Sequence, residues 1–145
     1  MSGIEQQMKK TILLGAIIVS CATTGARSAE LSITQRVVAS EMNQIVFIKA
    51  ITQRIAEQSP NYSIDDKKLD ARRDSVMSIA KTMFSSGQAF MEAAGMNAKD
   101  KMSAELKLFF QTRGVNWSSS SAAYCELAEG LDVIKSPVSD YLVKR

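Results

Sequence analysis

The chain has 145 residues, with 18 Lys+Arg against 15 Asp+Glu, two cysteines and no histidine. That length suits one small domain able to bury a core without metals or disulfides. The missing histidine excludes Ser-His-Asp and Cys-His catalysis, histidine zinc sites and histidine-based pH switching.

The first element is an address. Lys9 and Lys10 precede an apolar run from Ile12 to Val19, and small residues follow from Ser20 to Ala26. The run is shorter than the about 20 residues a spanning helix needs. Positive, apolar and small-residue segments in this order resemble a bacterial secretory signal peptide. The alternative, a buried N-terminal helix, would keep polar residues along one face. Residues 1–7 precede Met8, the natural start of such a leader, and read as a mis-set start or a long n-region. Ile18-Val19-Ser20-Cys21 resembles the lipobox of bacterial lipoproteins, which makes Cys21 a candidate lipidation site. Ordinary cuts after Ala22 or Ala26 compete with it. Residues 1–29 are therefore expected to be signal peptide and tether, cut between residues 20 and 29, with 30–145 a single helical domain.

Charge is redistributed by that cut. Removing Lys9, Lys10, Arg27 and Glu5 leaves 15 basic and 14 acidic residues, a net charge of +1. The basic balance belongs mainly to the leader, so no nucleic-acid partner is expected.

An apolar series at steps of three and four, Val38, Met42, Ile45, Ile48, Ile51 and Ile55, predicts a helix from Ser32 to Glu57. Val37, Val46 and Phe47 widen its apolar arc, and Arg36, Asn43, Gln53 and Arg54 gather opposite. Pro60 ends it. Ser63 is the expected N-cap of a second helix, Ile64 to Gly95. In that helix Leu69, Val76, Met83 and Phe90 recur every seven residues, and so do Arg73, Ala80, Gly87 and Ala94. The small members Ala80, Gly87 and Ala94 form a candidate helix-packing or binding seam, expected to face the first helix at close range. The rival reading makes Gly87 a break.

Asn97 is expected to cap a third helix, Ala98 to Arg113, with Met102, Leu106, Phe109 and Phe110 inward and Gly114 as its stop. A serine of the run 118–121 should cap a fourth, Ser120 to Lys135, with Tyr124, Leu127, Ala128, Leu131 and Ile134 as its stripe. Ser136-Pro137 reads as the start of a short last helix ending near Lys144. The sum is an all-α fold, a small antiparallel bundle of about four helices plus a short C-terminal helix.

Nothing in the pattern specifies chemistry. Asp66, Asp70 and Asp74 line one helical face but lack a wrapping loop and sit among basic residues, so a solvated face with an Asp70–Arg73 pair is expected. The serines beside Trp117 have no histidine or lysine base. Cys125 is expected to be a small buried hydrophobe, with an intermolecular disulfide as the alternative. No catalytic residue, metal site or cofactor is expected. The leading expectation is an exported, non-enzymatic helical protein of the periplasm or cell envelope that binds an unknown protein partner, for instance as an inhibitor or immunity-type protein. It would touch membrane only through a lipid on Cys21. The rivals are a small carboxylate-dependent cell-wall hydrolase and a small-ligand carrier with an apolar cavity.

N-terminal sequencing of envelope material should begin between Cys21 and Glu30. Cys21→Ser should release the protein from membranes if Cys21 is lipidated and leave its distribution unchanged if the leader is cut elsewhere. A mature protein that starts at Met1 or Met8 would refute the leader.

Overall fold

The computed structural model describes residues 30–145. The leader, its cut and Cys21 lie outside the described residues. The compact unit starts at Leu31 and is mostly helical: α1 (Ile33–Gln58), α2 (Asp66–Met83), α3 (Gly87–Ala93), α4 (Lys99–Gln111) and α5 (Ser121–Val133). Two short strands, β1 (Tyr62–Ile64) and β2 (Leu142–Lys144), pair antiparallel. No helix among the described residues is long and apolar enough to cross a membrane.

Helix α1 is the member that α2, α3, α4, α5 and β1 all touch. It opens with a capping box. The Ser32 hydroxyl accepts from Gln35 N at 3.1 Å, and Gln35 Oε1 accepts from Ser32 N at 2.9 Å. Its buried stripe is Ala39, Met42, Ile45, Ile48, Ile51, Thr52 and Ile55. Thr52 sits in the core at no cost in lost hydrogen bonds, because its hydroxyl donates to Ile48 O at 2.9 Å. Val37, expected to widen the apolar arc, is instead exposed.

Two amides of α1 also serve its neighbours. Gln35 Nε2 donates to Met83 O at 2.8 Å, and Asn43 Nδ2 donates to Ala94 O at 3.0 Å. Met83 and Ala94 stand at the C-terminal ends of α2 and α3, where helix carbonyls lack intrahelical donors.

The expected second helix is two helices, and it starts later. Ser63 lies in β1, and Asp65 is the N-cap, accepting from Lys68 N at 3.0 Å. Backbone at Phe84 turns extended, and Ser86 then caps α3 by accepting from Ala89 N at 3.1 Å. Serine and glycine are weak helix formers, and a serine that can cap a new helix competes with continuing the old one. The Phe84 and Phe90 rings pack across the break at 5.1 Å. The seam is accordingly divided. Ala80 and Ala94 are buried, whereas Gly87 is exposed and a Cβ added there meets nothing within 4 Å.

Helices α3, α4 and α5 end in the same way. Met96 N donates to Met91 O, Val115 N to Phe110 O and Ser136 N to Leu131 O, at 3.0, 3.0 and 2.9 Å. Each closes a Schellman motif around one left-handed residue. Two of these are Gly95 and Gly114, with φ of 71° and 76°; the third is Lys135, with φ of 53°. This ending stops α5 at Val133 and turns Ile134 to solvent, 69% exposed, so Ile134 is not part of the core stripe. Ala98, with no side-chain cap bond, is the N-cap of α4 in place of Asn97. Ser120 caps α5, accepting from Ala123 N at 3.3 Å.

The last expected helix shrinks to one 3-10 turn, Ser139–Tyr141. The chain then extends as β2, with Tyr62 opposite Lys144, Ser63 opposite Val143 and Ile64 opposite Leu142. Asp65 N donates to Tyr141 O at 2.9 Å, and Arg145 N to Asn61 O at 2.8 Å, so the C-terminus is laced to the α1–α2 connection. Burial pushes the Tyr62 phenol up, with Glu129, Asp132 and Cys125 adding to the rise and Lys144 opposing it.

Ala80→Leu should lower stability by about 1–3 kcal/mol through overpacking at a position only 2% exposed. Gly87→Ala should have the opposite sign, raising stability by about 0.4–1 kcal/mol, because φ is not positive there and the unfolded chain loses freedom. Denaturant unfolding of both variants reads the two signs. An Ala80→Leu midpoint equal to wild type would show that Ala80 does not pack.

Candidate binding groove

One end of the unit carries a braced aromatic cluster. It forms where the C-terminal half of α1, the C-terminal half of α4, the loop 114–120 and the first turn of α5 meet. Tyr124 of α5 is fully buried, and its hydroxyl donates to Asn116 O at 2.9 Å. The same hydroxyl accepts from Arg54 Nε at 3.2 Å, while Arg54 Nη2 donates to Trp117 O at 3.1 Å. The Arg54 guanidinium carbon lies 4.9 Å from the Trp117 ring centroid and 5.5 Å from that of Tyr124. Both are within cation–π range.

Phe110, fully buried, closes the cluster from α4. Its ring stands edge-on to Trp117 at 5.3 Å and tilted to Tyr124 at 5.8 Å. Two half-buried rings continue the cluster, Phe109 against Phe110 at 5.4 Å and Phe47 of α1 against Phe109 at 6.1 Å. Trp117, in contrast, remains 43% exposed.

The loop that presents Trp117 is fixed by its own side chains. Asn116 Oδ1 accepts from Ser118 N at 2.9 Å and from Ser118 Oγ at 2.7 Å, an Asx turn. Asn116 N donates to Ser119 Oγ at 2.9 Å. With Ser120 capping α5, three serines of the run have structural duties. Beside Trp117 opens a groove of about 460 Å³ lined by Lys107, Gln111, Asn116, Trp117 and Ser118. Leu108, next to Lys107 on α4, is 57% exposed.

The other residues singled out from sequence lie elsewhere. Ala80 and Ala94 are in the core, Gly87 faces solvent, and the three do not converge on a groove with Trp117. On α2, Arg73 pairs with Asp70 at 2.8 Å and with Asp74 at 3.1 Å. No group of three potential metal ligands occurs among the described residues. Cys125 is half-buried with its thiol against the hydroxyl of the buried Ser59. Arg72 pairs with Glu41 and donates from Nη1 to Tyr141 Oη at 3.0 Å. Burial opposes its charge, but the bonds to Glu41 and Tyr141 outweigh burial and raise the guanidinium pKa further.

Sequence reasoning placed Trp117 in a loop and Arg54 on the polar side of α1 but did not join them. They are 63 positions apart, and periodicity carries no signal across that distance. The usable hint was the chain's single tryptophan, placed outside every helix. No protein-family model matches the chain, and neither the curated proteins nor the solved structures gave a match.

Tyr124→Phe should cost about 1–2 kcal/mol, because Asn116 O loses one of its two donors, keeping Ser119 N, and Arg54 Nε loses its acceptor. Trp117 emission, with no other tryptophan to mask it, should shift as the brace loosens. Unchanged emission and unchanged unfolding would show that the phenol does not hold the loop.

Proposed function

We propose that the mature protein is an exported, non-enzymatic helical protein of the bacterial envelope that binds another protein through the Trp117 groove, in the manner of a periplasmic inhibitor or immunity-type protein. Its helices would pack antiparallel around α1, and its membrane contact would be limited to a lipid on Cys21. The observation that carries this reading is the half-exposed Trp117, pinned by Arg54 and Phe110 beside an open groove.

A large aromatic side chain left in water forgoes burial unless something else covers it. Here it is also held still, so covering it would cost little ordering entropy. Tryptophan and arginine are the residue types that most often dominate protein contacts. The hydrolase rival wants two carboxylates converging in one groove, whereas the lining of the Trp117 groove holds none.

Cross-linking in intact envelopes, with Trp117→Ala beside wild type, tests the reading. A protein adduct should form with wild type and be lost with Trp117→Ala, while the variant keeps its helical dichroism. An adduct insensitive to Trp117→Ala would move the contact away from this groove.

A further inference from the structure

We infer that the Trp117 groove is built for an acidic protein segment, whose carboxylates meet Lys107 and whose aliphatic side chains cover the open face of Trp117. The inference rests on the protein-binding reading and adds the partner's chemistry.

Charge around the groove is one-sided. Its lining holds one cation, Lys107, and no carboxylate. Ion pairs elsewhere join Lys101 with Glu105 and Lys135 with Asp132 within a turn, and Lys144 with Glu129 and Arg72 with Glu41 between elements. Lys107 and Arg54 take part in none among the described residues. Two cations in this corner therefore lack an acid of their own.

The polar groups have a matching bias. Lys107 and Gln111 make no side-chain hydrogen bond among the described residues. Asn116 spends its oxygen on Ser118, leaving its amide nitrogen to donate. Unused capacity in the groove is thus mostly donor, and it calls for acceptors. Carboxylates supply acceptors and the missing charge together.

A nucleic acid would also supply acceptors and charge. It draws affinity from many phosphate contacts along a basic track. Residues 30–145 carry a net charge of only +1, and one lysine lines the groove. A short acidic segment with an apolar anchor fits those proportions better.

Titration of the full chain, followed by the emission of its single tryptophan, tests this. The probe is a short tryptophan-free peptide of glutamate and leucine, with the lysine-and-leucine counterpart as control. The acidic peptide should change Trp117 emission saturably, and raising salt from about 50 to about 300 mM should weaken it. Lys107→Glu should weaken it roughly tenfold, Lys107→Arg should restore it, and Lys81→Glu on α2 should leave it unchanged. An equal response to the lysine peptide, an unchanged Lys107→Glu titration, tighter binding of a single-stranded oligonucleotide, or no response up to about 1 mM would each overturn the inference. Should the envelope adduct depend on Trp117 yet ignore Lys107→Glu, the acidic partner is wrong and the protein-binding reading stands. If no adduct depends on Trp117, that reading itself fails.

Discussion

The buried stripe of α1 is the constraint on which the rest of this structure depends. Four other helices touch α1, and each must present an apolar face to it. A helix shared by that many neighbours needs a wide buried face, and α1 buries positions at both three- and four-residue steps. Its flanks then do a second job. Gln35 and Asn43 reach out to carbonyls at the ends of α2 and α3, so the same helix supplies the core and satisfies the backbone of its neighbours. This explains how α3, a helix of 7 residues, holds its place. So short a helix is marginal alone, but Phe90 anchors it in the core and Asn43 ties its end.

What was legible in the sequence was what repeats locally. The stripe of α1, the Ser120 cap, the stop at Gly114 and the helical class all follow from signals within about four residues of one another. The break at Phe84 was weakly marked, because a heptad series continued through it: Val76 and Phe90 are both buried on either side. Register in sequence survived a change in chain direction. Ile134 misled for the opposite reason. It keeps the spacing of the α5 stripe, but the Schellman ending at Lys135 removes it from the helix that the spacing assumes.

The strand pair was not legible at all. Tyr62–Ile64 and Leu142–Lys144 are three residues each and lie 80 positions apart where Ser63 meets Val143. Segments that short carry no measurable period, and pairing across such a distance is decided by where the helices leave the two ends. The Arg54–Trp117 contact shares this origin. Arg54 reads as a polar residue on the outer side of α1, and only the docking of α4 and α5 turns that side into the back of an aromatic cluster.

That docking gives Trp117 an unusual combination of order and exposure. A loop tryptophan could bury itself or move freely, and either would hide or blur it as a contact. Here Phe110 blocks the inward route from one side, while Arg54 covers part of the ring and holds the loop carbonyl. The guanidinium is committed to an aromatic face and two oxygens, so it fixes the indole without neutralising itself against a carboxylate. A positive charge thus stays within 5 Å of the ring centroid, and Lys107 adds another at the groove wall. Order, apolar area and unbalanced charge meet at one place, on a domain whose net charge is close to zero. On α2, Arg73 is paired with Asp70, and Lys135, just past α5, is paired with Asp132. At the corner around Trp117, exposed aromatic surface and unpaired charge lie side by side. An ordered aromatic side chain and a charge placed together in this way are the features that protein contacts draw on.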